Sequence, residues 1–388
     1  MPVQDEILRA IDAAAERVVE VSRQIHAHPE LRFQEHFAAK TLSDALEAFG
    51  IAAQQPIGGL DTALRAEFGR EANPKVAILA EYDALPNGHA CGHNLIAGAA
   101  LGAAVGLAAV RDQLPGQVVL LGTPGEEGGG GKVMLIENGA FADIDAALMF
   151  HPFDRTILTN PALAHQWVTF TFHGKNSHAA AAPWDGYSAL SGVIQTFNLI
   201  DNARLHFRDG TRIHGIITDG GKAVNIIPQT AEAMFSVRAL NAKYLPVVSE
   251  RVVKCAEAAA LATGTRLETK VQRGYKDMRD NMTMARRFGH HLRTLGVEFL
   301  ERDPSAGSGS TDMGDVSYTV PSIHPYMAIC DIGESMCHQD TFVACANHPR
   351  GYQTMLSAAK AMALTAYDLL TQSGFLAAAK AEWAQHRP

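Results

Sequence analysis

The sequence predicts an α/β fold in which one α/β domain is interrupted by a smaller inserted α+β domain. Three observations carry this. Residues 75–80, 117–122 and 146–150 are apolar along their whole length and alternate with helical stretches, the pattern of strands in a parallel sheet covered on both faces. From about residue 166 the strands carry larger side chains and the order becomes β-α-β-β-α-β, the split βαβ arrangement of a ferredoxin-like unit. From about residue 278 the α/β character returns. With 388 residues the chain exceeds one ordinary core, so more than one domain is expected. The predicted boundaries are 1–165 and 278–388 for the larger domain and 166–277 for the insertion.

Element by element, Ile7, Ile11, Ala14, Val18 and Val21 recur at helical spacing and predict a helix over 4–28. A second helix over 34–48 stops at Gly50. After the 75–80 strand comes an Ala/Gly-rich helix reaching about Asp112, then the strands at 117–122 and 146–150. The insertion reads as strand 167–172, helix 186–204, strands 212–218 and 230–239, helix 245–263 and strand 266–271. Segments 164–167 and 273–280 are the expected hinges. The last part reads as a helix at 283–295, a Gly/Ser loop at 304–310, a strand at 326–329 and a long helix at 351–370.

Composition narrows the function classes. Hydrophobic content is 47%, charged content 19% and formal net charge −8, with no basic block. Nucleic acid and anionic membranes are therefore poor partners. The most apolar stretch, 95–110, is shorter than a membrane span and reads as a core helix. No signal peptide is visible at the start. The five scattered cysteines fit a reducing compartment, so a cytoplasmic location is expected. Cys330, Cys337 and Cys345 lack CxxC spacing and read as packing residues.

The chemistry concentrates at strand ends. Gly88-His89-Ala90-Cys91-Gly92-His93-Asn94 follows the 75–80 strand. In a tight turn Cys91 and His93 can converge, and a thiolate with a neutral imidazole suits zinc or a similar first-row metal. Asp83 sits where it could orient a ligand histidine. Glu126-Glu127 ends the next strand and His151 the one after. Ligands of open α/β sheets bind at carboxyl ends of strands. The acidic pair suits two jobs: one carboxylate on a metal, its neighbour a general base on water. The alternative is a solvated acidic pair at a helix start. A phosphate-loop reading of 126–132 fails, because Glu126 and Val133 stand where Gly and Ser or Thr are needed.

Taken together, YDALP (82–86), GHACGHN (88–94), GEEGGGGK (125–132), MFHP (149–152), HGKNSHAAAAPWDGYSAL (173–190), VNIIP (224–228) and SGSTDMGDVSY (308–318) resemble the M20 metallopeptidase and amidohydrolase family. The closest match is its subfamily D, with aminobenzoyl-glutamate hydrolase-like and aminoacylase-like proteins. The resemblance implies a zinc-exopeptidase-like catalytic domain carrying two divalent metal ions, with zinc, manganese and cobalt all candidates. It implies Cys91 as the bridging thiolate, where other branches use a carboxylate. It implies His93, Glu127 and His151 as further ligands, and Glu126 as the base that activates water. The last ligand is His338, in the H-x-x-x-F pattern, with His348 as the rival. His290 and His291 are expected at the surface.

The inserted domain is implied to be a lid and a homodimerisation surface. His178 would donate to the oxyanion in the partner's site, and Asn225 and Arg238 would hold a substrate carboxylate. Residues 308–312 would line the substrate side. The implied reaction is hydrolysis of an N-acyl or aminobenzoyl amino acid, or of a dipeptide-like amide. Aminopeptidases and non-catalytic metal-binding relatives are the alternatives.

Overall fold

The computed structural model describes residues 2–70, 74–303 and 309–385. The described chain forms two compact units, one made of residues 1–161 with 278–388 and the other of 162–277. The larger unit begins with helices α1 (Val3–Ala27) and α2 (His36–Ala48). There follow β1 (Ala53–Gln54), β2 (Leu64–Gly69), β3 (Lys75–Ala80), α3 (His93–Ala108), β4 (Gln117–Gly122), α4 (Gly131–Glu137), β5 (Ala146–Leu148) and β6 (His151–Phe153). The inserted unit comprises β7 (Ala164–His173), α5 (Ala189–Ala203), β8 (Arg212–Asp219), β9 (Thr230–Ala239), α6 (Leu245–Thr263) and β10 (Arg266–Tyr275). The chain then completes the larger unit with α7 (Met282–Thr294), α8 (Met313–Thr319), β11 (Ser322–Ile323), β12 (Tyr326–Ala328), α9 (Asp340–Cys345), α10 (Pro349–Thr371) and α11 (Ser373–Gln385).

The main sheet has the order β1-β2-β4-β3-β5-β11. Its central strands are parallel, and β3 and β4 are buried almost throughout. The sheet is mixed rather than wholly parallel, because β2 runs antiparallel to β4 and β1 antiparallel to β2. Leu64-Arg65-Ala66-Glu67-Phe68 buries alternate residues, as a strand with one wet face does. Its charges interrupt the continuous apolar run by which the other strands are recognised. The predicted 146–150 strand is shorter than expected. β5 ends at Leu148, and His151 opens β6, which pairs in parallel with β12 in a separate small sheet.

Helix α3 is buried at every position and packs against α1 and α10. Gly98, Gly102 and Gly106 allow that approach: a methyl group there would lie 2.3 Å from Met355 Sδ, 3.0 Å from Ala359 Cβ and 2.6 Å from Ile11 Cγ1. Among the described residues no helix is long and apolar enough to cross a membrane.

The inserted unit is a four-stranded antiparallel sheet of order β10-β7-β9-β8, with α5 and α6 packed against it and each other. Val168, Phe170 and Phe172 of β7 alternate inward and meet Phe235, Val193 and Val252 in one core. This is the ferredoxin-like α+β order. Segment 164–167 does not fit the hinge expected there. It lies inside β7 and is paired with β9 along its length, for instance His165 with Arg238. The chain passes between the units at 161/162 and 277/278. Of the expected Gly/Ser loop, residues 304–308 lie outside the described residues.

Candidate metal centre and active site

Three chain turns at strand ends place the donors. After β3 the chain reaches Gly92, whose φ of +71° is the left-handed conformation that glycine adopts without strain. That turn brings the Cys91 thiol and the His93 imidazole to one side at the start of α3. A side chain at Gly92 would also press on Pro152, 3.0 Å away. After β4, residues 123–127 carry Glu126 and Glu127, both partly buried. At β6, the His151 N–H donates to the Pro325 carbonyl at 2.8 Å, which fixes the backbone. His338 has a positive φ of 75°, and its N–H donates to the Ala90 carbonyl at 2.8 Å.

The donor atoms fall into overlapping groups, each within 4.8 Å: Cys91 with His93 and His151, Cys91 with Glu127 and His338, and His93 with Glu126 and Glu127. Cys91 belongs to the first two groups. Its Sγ is 3.8 Å from His151 Nε2. His338 Nε2 is 3.5 Å from Glu127 Oε1. The ring of His348 does something else: it caps α10, accepting the Arg350 N–H at 3.3 Å.

The ring orientations are set from behind. Asp83 Oδ1 lies 3.0 Å from His93 Nδ1, so that nitrogen donates and Nε2 is the one left to face a metal. The other Asp83 oxygen accepts the Glu127 N–H at 2.9 Å, tying the two loops together. His151 Nδ1 faces the Pro152 carbonyl at 2.7 Å and must donate, which leaves Nε2 free to coordinate.

The electrostatics favour a cation. Burial alone would lower the His93 pKa, but Asp83 and Glu81 hold it well above the usual value. Burial raises the Asp83 carboxyl, but the His93 charge and hydrogen bond, the Glu127 N–H and Lys132 together outweigh it and the net shift is downward. The Cys91 thiol is pushed well up by its hydrogen bond with Cys337 and by burial, so a positive ion is what would hold it as thiolate. Cys337, expected as a packing residue, is thus a neighbour of Cys91. Burial first, then Glu81, Glu127 and Asp312, raise the Glu126 carboxyl well above its usual range. Glu81 Oε2, His93 Nε2 and Glu127 Oε1 are buried without a hydrogen-bond partner among the described residues. Bare nitrogen and carboxylate oxygen of this kind, with the Cys91 sulfur beside them, fit a first-row divalent ion.

A second network lies beside the donors. Lys132, fully buried at the start of α4, pairs through Nζ with Glu81 and with Asp312 Oδ1 at 2.7 Å. The other Asp312 oxygen accepts the Lys132 backbone N–H at 2.9 Å. Asp312 therefore does not line an open substrate surface as expected, and Ser308 lies outside the described residues. His324, at the end of β11, is also buried, with its ring centroid 5.5 Å from His151. Glu81, Lys132 and His324 were missed as functional candidates. A lysine and an acid flanked by apolar residues at strand and helix ends were the available signal for the first two. His324 had none. His291, expected at the surface, is buried and bonded to Asp368 at 2.9 Å, whereas His290 is exposed.

In the inserted unit, His178 is exposed. Its Nδ1 accepts the N–H groups of Ala180 and Ala181 at 3.3 and 3.2 Å, which leaves the ring proton on Nε2. Asn225 is also exposed, and its carbonyl accepts the Ala179 N–H at 3.0 Å. Arg238 lies at the far end of β9, where burial lowers its pKa. The strand from Thr230 to Arg238 spans roughly 26 Å at about 3.3 Å per residue. Within one chain, Asn225 and Arg238 therefore do not grip the same carboxylate.

An α/β unit with sulfur, nitrogen and carboxylate donors at its strand ends, interrupted by a ferredoxin-like unit, is the architecture of a metal-dependent amidohydrolase or peptidase. Sequence comparison makes this specific. The chain belongs to peptidase family M20/M25/M40, whose profile matches residues 77–361. It is 39% identical to an Xaa-Arg dipeptidase of Mus musculus, over 96% of this chain and 90% of that one. It is 30% identical to one of the polypeptides of the p-aminobenzoyl-glutamate hydrolase of Escherichia coli, over 95% of this chain and 92% of that one. A dinuclear metal binding peptidase of the M20 family from Bacillus subtilis has the same fold. Its TM-score is 0.73 at 22% identity, covering 93% of this chain and 99% of that one.

Proposed function

We propose that this chain hydrolyses the amide bond of dipeptide-like or N-acyl amino acid substrates that carry a free carboxylate, aminobenzoyl-amino acids included. The observation that carries the reading is the convergence of Cys91, His93, Glu127, His151 and His338 in overlapping donor groups with Glu126 beside them. Those five residues would hold two divalent ions, zinc or manganese in first place and cobalt as a third candidate. When bound, the ions would polarise the scissile carbonyl and make water a stronger acid. Glu126 takes the proton from the attacking water and passes it to the leaving amine. Asp83 keeps the His93 ring in one orientation throughout.

His178 presents a fixed Nε2–H, the donor an oxyanion needs. In this reading it serves the site of a partner protomer, and the inserted unit is both lid and dimer surface. Strand β8 is a sheet edge with Ile216 and Ile217 exposed, and edges of that kind call for cover. The substrate carboxylate would be held by Asn225 and Arg238, each from a different protomer. An oxidisable thiolate at Cys91 suits a reducing compartment, and the cytoplasm is the location this favours.

Chelation tests the reading. The purified protein should release free amino acid from one or more of a panel of dipeptides, N-acyl amino acids and p-aminobenzoyl-glutamate. A chelator should abolish the release, and added zinc or manganese should restore it. Chelator-insensitive turnover would refute metal dependence. Protomer mixing tests the role of His178. Inactive His178→Ala and Glu126→Gln dimers, exchanged at equal amounts, should recover about a quarter of wild-type activity, because half the dimers regain one intact site. No recovery with demonstrated exchange would place His178 outside the partner's site.

A further inference from the structure

Cys91 and Cys337 come from distant parts of the chain, and one backbone hydrogen bond ties their segments together. The His338 N–H donates to the Ala90 carbonyl at 2.8 Å. That bond joins the peptide unit leading into Cys91 to the one leading out of Cys337. A second tie lies beside it, where the Asn87 side chain donates to the His338 carbonyl at 3.3 Å and to Asp340 Oδ1 at 2.8 Å. With the backbones so held, the two thiols are hydrogen-bonded to each other. Coordination does not account for Cys337, which belongs to none of the donor groups that include Cys91. Burial does not account for it either, because Cys337 is only partly buried and Met336, His338 and Gln339 around it are exposed. Cys91 is the more enclosed partner, 8% exposed just ahead of the buried helix α3.

We propose that Cys91 and Cys337 form a modification site: in the metal-free chain a peroxide joins them in a reversible disulfide that takes away the sulfur a metal would use. The inference rests on the metal-site reading above. The more exposed Cys337 sulfur attacks a peroxide oxygen. An S–O bond forms, the O–O bond breaks, and one water leaves with the thiol proton, giving a sulfenic acid. The Cys91 sulfur then attacks the Cys337 sulfur. The S–S bond forms, the S–O bond breaks, and the second water leaves. The two thiols lose two electrons and the peroxide gains them. The sulfurs need only close from hydrogen-bond contact to about 2.05 Å, and the movement falls on the exposed 336–339 side. A disulfide sulfur is no thiolate donor, so bridge and metal exclude each other.

The test starts from metal-free protein, prepared with a chelator and a phosphine reductant and then freed of both. After hydrogen peroxide, proteolysis and non-reducing mass spectrometry should find peptides joined at Cys91 and Cys337. The oxidised chain should bind zinc at least about tenfold more weakly, as loss of a ligand does, and fresh phosphine should restore binding. Zinc loaded beforehand should slow the bridge by about tenfold or more, because a coordinated thiolate is not free to attack. Cys337→Ser should bind zinc as the wild type does and keep that binding through peroxide. Equal rates of bridging with and without zinc would overturn the proposal. So would loss of zinc binding in reduced Cys337→Ser, which would make Cys337 a ligand. A bridge confined to Cys330 and Cys345, whose thiols are also hydrogen-bonded to each other, would overturn it too. A reduced wild-type chain that binds no zinc would overturn the metal-site reading itself. Zinc binding with no Cys91–Cys337 bridge would overturn this inference alone.

Discussion

Glu126→Gln should lower kcat by about 10³-fold or more while the protein keeps its full metal content. The substitution preserves shape and removes the only feature that the proton transfer needs, an acceptor of suitable basicity, and positioned general bases contribute about 10²–10⁴-fold. Metal analysis is essential to the experiment, because Glu126 lies within coordinating reach of His93 and Glu127. A variant that loses both metal and activity would make Glu126 a ligand. A variant within about tenfold of wild type would remove it from the proton path. Slow turnover with metal retained is the result that identifies the base.

The second large effect concerns stability. Lys132→Met should destabilise the larger unit by about 3–5 kcal/mol, read as a lower denaturation midpoint, because it strands two buried carboxylates. Lys132 is fully buried between Glu81 and Asp312, which holds its pKa far above the ordinary lysine value despite the burial. Adding Asp312→Asn to the methionine variant should recover part of the loss, since one uncompensated charge is then gone. A single-variant loss below about 1 kcal/mol would mean that the lysine holds no more than a surface pair would.

What the sequence made legible follows a physical rule. Cys91 and His93 are two residues apart, Glu126 and Glu127 are adjacent, and each group sits directly after an apolar strand, so local pattern was enough to nominate them. The inserted unit was legible because β7 and β9 alternate over a single helix-covered face. Strand β2 escaped notice because Arg65 and Glu67 break its apolar run on the wet face. Helix α11 escaped because it has no clear apolar stripe, with only Leu376 and Ala379 buried. The Lys132 network was illegible for another reason. Its members are separated by 51 and 180 positions, and no local pattern links them. His324 shares that difficulty, since its environment comes from strands that meet only in the folded sheet.

The larger unit is discontinuous, with 278–388 supplying β11, α10 and His338. That has a consequence for biosynthesis. As the chain leaves the ribosome, Cys91, His93, Glu127 and His151 emerge early, without their last partner and without the helix against which α3 packs. The inserted unit is contiguous and can close first, in keeping with domains folding as units during synthesis. On the proposed ligand set, metal capture is then a late event: the nascent chain exposes a thiol and two imidazoles to solvent until residues beyond 338 arrive. Truncation at the end of the insertion would yield a folded α+β unit attached to an open, oxidation-prone half-site.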